Sequence, residues 1–200
     1  MLSTFQLKLI GCHHPLRQDV EQHITERYRL AFNANVTDFM PLLLAVFNAQ
    51  QQLKSACGIR VASTEALFLE NYLSAPAEKL IMDTYHQAVE RKNLIEIGQL
   101  ASFSQGSAPM HFLLLTQYLI EQGYEWCIFT ATDPLYAMMR RLGLAPMPLI
   151  EARAEHITNA PKIWGSYYQH HPRVCCGYLP SAYQQLLGRM DRLTTQVSAR

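Results

Sequence analysis

The chain has 200 residues, 49% hydrophobic and 16% charged, a balance that suits one globular domain over residues 1–200 with a substantial core. A formal net charge of +1, with lysines and arginines scattered and only short pairs such as Arg140-Arg141, provides no basic field for nucleic acid or a membrane surface. The longest apolar run, FMPLLLAVF at 39–47, is too short to span a bilayer, so no stable membrane insertion is expected.

The N-terminus, MLSTFQLKLIGCHH, lacks a basic segment followed by a long apolar one and does not read as a signal peptide. STFQLKLIG (3–11) alternates apolar and polar residues, which predicts a first strand. Leu16, Val20, Ile24, Tyr28 and Phe32 recur every four residues and predict a helix with one apolar face. FMPLLLAVFN and SACGIRVAS read as two buried strands joined through the polar AQQQLK as a hairpin. TEALFLENYL and PAEKLIMDTYHQAVER carry helical periodicity, interrupted at Pro76.

NLIEIGQLASFS (93–104) reads as a buried strand with one carboxylate, Glu96, inside it. A turn and a helix follow, with Ser107 as cap, Pro109 in the first turn and Gly123 at the end. EWCIFTAT (125–132) is another buried strand. Asp133 and Pro134 open a helix that Gly143 closes, with Leu135, Met138, Met139 and Leu142 on its apolar face. MPLIEA, with Pro146 before it and Pro148 near its start, suits an edge strand, and RVCCGYL and SAYQQLLGRMDRL predict a last strand and helix. The fold class is therefore α/β, with a mixed central sheet flanked by helices.

Five cysteines without metal-site spacing read as reduced thiols, which points to the cytoplasm. His13-His14 and His170-His171 have no ligand spacing around them either, so no metal is expected.

The order of elements resembles the GNAT acyltransferase fold. In that fold two neighbouring strands splay at mid-sheet, and an acyl thioester lies in the gap. By that resemblance LIEIGQLASF is the fourth strand, EWCIFTAT the fifth, and QGSA (105–108) the phosphate turn, where backbone N–H groups at a helix N-terminus hold an anion. Phe103 stands where that motif usually begins with Gln or Arg.

CGIRVAS, LFLENYL, LIEIGQLAS, GYEWCIFTAT, RRLGL and WGSYYQHHP together resemble the thermostable hemolysin family, which is similar in turn to the acyl-homoserine-lactone synthases. Those synthases carry an arginine in the third strand and E-[IL]-S-R in the fourth. Arg60 and Glu96 match these positions, and Gln99 replaces the second arginine. The synthases' N-terminal tryptophan and paired aspartates have no counterpart. The resemblance implies transfer of an acyl group, fatty rather than acetyl, from acyl-CoA or acyl-carrier protein to a small amine.

In that chemistry Glu96 would serve as general base. Backbone around Gln99, Leu100 and Ala101 would hold the oxyanion, and Gln105, Gly106, Ser107 and Ala108 would bind the donor. Tyr136 is the candidate for the leaving sulfur, since the family's tyrosine position is Met139 here. Arg60, Phe68 and Trp164 are the candidate substrate contacts. The other role for Glu96 is a structural acid paired with Arg60 or Arg91. The other functions are a membrane-active hemolysin and a GNAT-like domain that binds an acyl thioester without catalysis.

Overall fold

A computed structural model describes residues 5–102 and 108–198. The elements run β1 (Phe5–Ile10), α1 (Arg17–Phe32), β2 (Leu42–Asn48), β3 (Leu53–Val61), α2 (Ala77–Tyr85), β4 (Leu94–Ser102), α3 (Ala108–Glu121), β5 (Trp126–Ala131), α4 (Asp133–Arg141), β6 (Met147–Glu151), α5 (Ala160–Trp164), β7 (Arg173–Tyr178) and α6 (Leu179–Ser198). Seven strands form one sheet in the order β1-β2-β3-β4-β5-β7-β6. Only β4 and β5 run parallel; every other pair is antiparallel. The expected mixed sheet is present, with the Pro148-bearing strand at its edge, where a missing N–H costs least.

The strands alternate their side chains between two faces. On one face, Leu44, Cys57, Ile95 and Cys175 pack with Leu113, Leu119 and Leu186 from α3 and α6. On the other, α1 lays Val20, Ile24 and Tyr28 over Leu43, Ala45 and Phe47, and α2 covers Leu94, Trp126 and Ile128. The adjacent Cys175 and Cys176 fall on opposite faces, as strand geometry requires. Each large apolar side chain buried in this way contributes about 1.5–3 kcal/mol.

The structure departs from sequence expectation in three places, the last at the end of α2. The strand expected from residue 39 begins only at Leu42, because Pro41 carries no N–H for the ladder. Residues 64–73 form not a full helix but a short 3₁₀ turn at Phe68–Tyr72. Glu70 accounts for this: its carboxylate accepts from the Leu67 N–H (3.0 Å) and the Ala77 N–H (3.2 Å) while pairing with Arg91 (2.6 Å). These bonds fold the segment back on itself. They also hold the Glu70 carboxyl down at about 2, chiefly through the Arg91 hydrogen bond. Helix α2 then stops at Tyr85, where His86 takes a left-handed conformation (φ 55°).

Candidate functional site

The strand β4 holds the candidate residues, and its pairing changes along its length. Leu94 to Ile97 pair with Trp126 to Phe129 of β5, and the pairing ends there. Beyond that point β4 stays with β3, through Ser102 opposite Ser55, while β5 stays with β7, through Ala131 opposite Arg173. The two parallel strands therefore diverge after Ile97 and Phe129, leaving a gap at mid-sheet.

A bulge marks the divergence. The β3–β4 register slips between Ala56 and Gly58, and Gln99 sits at φ 52°. With one extra residue inserted, Ile97 and Leu100 share a face, and Ala101 turns to the α1 side. The Gln99 side chain ties down the segment between α1 and β2: its Oε1 accepts from the Met40 N–H (3.1 Å), and its Nε2 donates to the Asp38 carbonyl (2.7 Å). Met40 lies over the paired glycines Gly58 and Gly98, where an added Cβ would come within 2.7 Å and 2.9 Å of it.

A cavity opens on each side of the gap. The larger, about 730 Å³, lies mainly on the α3 and α6 side, with a largely apolar lining that includes Ile97, Leu100, Phe112, Phe129, Met139 and Leu186, and reaches through the gap to Tyr28, Phe32 and Tyr167. The one on the α1 side, about 380 Å³, is lined by Glu96, Arg60 and the rings of Phe68, Tyr72, Trp164 and Tyr168, among others. Gly98, Gln99 and Thr130 line both, so the cavities meet where β4 and β5 part. Both volumes fall within the usual range for small-molecule sites, about 300–1,000 Å³.

Glu96 is 1% exposed. Its Oε2 accepts from the Phe68 N–H (2.8 Å), and the Leu69 amide adds a second hydrogen bond. Burial pushes its carboxyl up to about 7, against the opposing pull of Arg60 and the two amides. Arg91 is not its partner; that guanidinium is held by Glu70 and Glu78 (2.7 Å). Arg60 faces Glu96 across the β3–β4 ladder, but its Nε lies 3.1 Å from Glu65. Near the carboxyl, the Tyr72 and Tyr168 hydroxyls share a hydrogen bond (2.6 Å), and the Tyr167 hydroxyl donates to Thr130 Oγ1 (3.0 Å).

The sequence-predicted residues divide into four groups. Glu96, Arg60, Phe68, Trp164 and Gln99 come together around the smaller cavity, with Phe68 and Trp164 rings 6.3 Å apart. Leu100 and Ala108 line the larger one, whereas Ala101 is buried under α1. Tyr136 lines neither: its hydroxyl donates to the Pro146 carbonyl (3.5 Å), and its ring lies under the Arg173 guanidinium at 4.8 Å. Phe103, Gln105, Gly106 and Ser107 lie outside the described residues. Among the described residues no group of three or more His, Cys, Asp or Glu could hold a metal ion.

Sequence reasoning missed Met40, Tyr72 and Thr130. Tyr72 stood inside the LFLENYL segment and was legible as a polar ring in an apolar run. Met40 had no such signal, because only the paired glycines explain it.

Residues 10–183 match the family described as thermostable hemolysin. The chain belongs to that family. No curated protein sequence matches it. Among solved structures, FeeM, an N-acyl amino acid synthase from uncultured soil microbes, superposes with a TM-score of 0.58 at 14% identity, covering 92% of this chain and 95% of FeeM. The acyl-homoserine-lactone synthase LasI gives 0.54 at 14%, covering 88% of this chain and 90% of LasI. BjaI, a CoA-dependent acyl-homoserine lactone synthase solved with SAM and isopentyl-CoA, gives 0.58 at 11%, covering 95% and 90%. At these identities the likeness is one of fold: this chain has the GNAT-like architecture of acyl-transferring synthases.

Proposed function

We propose that this member of the thermostable hemolysin family is an N-acyltransferase, moving a fatty acyl group from a thioester of CoA or acyl-carrier protein to a small amine. The observation that carries the reading is Glu96: a buried carboxyl, with its proton affinity raised toward neutrality, beside a break in the sheet that joins two cavities. The similarity to FeeM and BjaI supports it, since both are acyl-transferring synthases on this fold.

The donor's pantetheine arm passes between β4 and β5, and its acyl chain occupies the larger, apolar cavity. The amine enters the smaller one. An ammonium has no lone pair, so Glu96 first takes a proton from it; a base held near pH 7 suits that transfer. The amine nitrogen then attacks the thioester carbonyl. Backbone N–H groups at the Gln99 bulge, through Ala101, stabilise the oxyanion, and residues 105–108 hold the anionic end of the donor. Attack forms the C–N bond; collapse of the tetrahedral intermediate breaks the C–S bond, and the second proton of the nitrogen passes through solvent to the released thiolate. The leaving thiolate, with an ordinary pKa of about 8.5, departs without an obligatory acid. Tyr136 is therefore not required at the sulfur, in keeping with its hydroxyl facing Pro146.

Thiol release from acyl-CoA and acyl-carrier protein, measured with a panel of amines, tests the reading. Amine-dependent release is expected, falling by at least about 100-fold in Glu96→Gln, as removal of a general base predicts. No turnover with any donor, or an undiminished rate in the variant, overturns it.

A further inference from the structure

Arg60 and Glu96 are register partners on β3 and β4. Such partners put their side chains on one face with Cβ atoms about 4.5–5.5 Å apart, where opposite charges ordinarily attract and pair. Here they do not close an ion pair. Glu96 turns to the Phe68 and Leu69 amides. Arg60 leans on Glu65, a 41% exposed side chain, at an angle that leaves its buried Nε without a hydrogen bond. Both groups line the same cavity, whose wall beside them is aromatic: Phe68, Tyr72, Trp164 and Tyr168.

A carboxyl and a guanidinium side by side, each turned from the other and both facing a cavity, match a ligand that carries an ammonium and a carboxylate on adjacent positions. A buried N–H without an acceptor is costly, so a ligand that supplies one gains what the free protein lacks. Guanidinium geometry favours a carboxylate held by two parallel hydrogen bonds. The exposed contact to Glu65 is weak enough to yield.

Resting on the acyl-transfer reading of this site, we infer that the acceptor is a free α-amino acid with an aromatic or large apolar side chain. Its carboxylate sits on Arg60, its amino group at Glu96, and its side chain against Phe68 and Trp164. The product is an N-acyl amino acid. An amine without the carboxylate leaves the Arg60 Nε unsatisfied and is rejected, by at least about 100-fold in binding.

The test separates binding from turnover. Calorimetry compares N-dodecanoyl-L-phenylalanine with N-(2-phenylethyl)dodecanamide, the same molecule without its carboxylate. Acylation assays with dodecanoyl-CoA and dodecanoyl-carrier protein compare L-phenylalanine with 2-phenylethylamine. The carboxylated ligand is expected to bind at least about 100-fold tighter; the preference disappears in Arg60→Met and survives in part in Arg60→Lys. Equal binding of the two ligands, no binding of either, or a preference undiminished in Arg60→Met overturns the inference. Carboxylate-selective binding without acylation upholds the amino-acid site and refutes the transferase reading. Equal acylation of both amines does the reverse.

Discussion

Glu96 is governed by two opposed effects, loss of solvation and the pull of Arg60 with two backbone amides, and burial dominates. Two measurable consequences follow from the raised proton affinity. Acyl transfer should climb as pH rises through about 7, because the base works only once its proton has left, and the residual rate of Glu96→Gln should lack that inflection. Stability should move the other way. The folded chain binds this proton more tightly than the unfolded one, so the contribution is present below pH 4.5 and lost as pH rises through about 7. Between those values wild type should lose roughly 3 kcal/mol relative to Glu96→Gln, a tenfold change in proton affinity being worth about 1.36 kcal/mol. Urea denaturation of both proteins across that range checks it, and parallel curves would contradict it. An acid and a base in otherwise apolar strands drew attention in the sequence because burying such groups is expensive. The Tyr72–Tyr168 hydroxyl pair drew none, since its members lie 96 residues apart.

Among the elements, the bulge in β4 does most to shape the site. It separates β4 from β5, reverses the facing of the residues after it, and presents Gln99 to the segment ahead of β2. Met40, seated on Gly58 and Gly98, holds that segment against the sheet. Gly58→Ala should cost about 1–3 kcal/mol by forcing Met40 away. It should weaken acceptor binding more than donor binding, because Met40 lines the smaller cavity only. Thermal denaturation and separate KM measurements check both effects, and an unchanged Tm would argue against tight packing there. Alternation, capping residues and prolines made all seven strands legible in the sequence. The bulge was not, because nothing about a glutamine announces a positive φ. Nor was the short turn at Phe68–Tyr72, where the bonds to Glu70 override helical periodicity.

At the scale of the whole molecule, the sheet is a partition with a chamber on each side. The larger chamber, between the sheet and α3 and α6, should set the length of acyl chain accepted. Ala182→Phe, on the α6 wall, should shorten the preferred chain by several carbons without changing the acceptor preference, which a competition assay with mixed donors would reveal. No helix among the described residues is long and apolar enough to cross a membrane. If the proposed acyl transfer is correct, an amphiphilic N-acyl product would be the lytic species. Purified protein should leave dye-loaded liposomes intact until acyl donor and amine are added. Lysis by the protein alone would reverse that assignment.

A structure with a non-hydrolysable thioether analogue of a fatty acyl-CoA bound would bear most directly on the placement of the chemistry. The sulfur should lie between residues 97–100 of β4 and residues 129–131 of β5, with the alkyl chain among Phe112, Phe129 and Leu186 and the carbonyl position within reach of Glu96. An analogue bound outside the gap, with Glu96 on the far side of a closed sheet, would contradict the account.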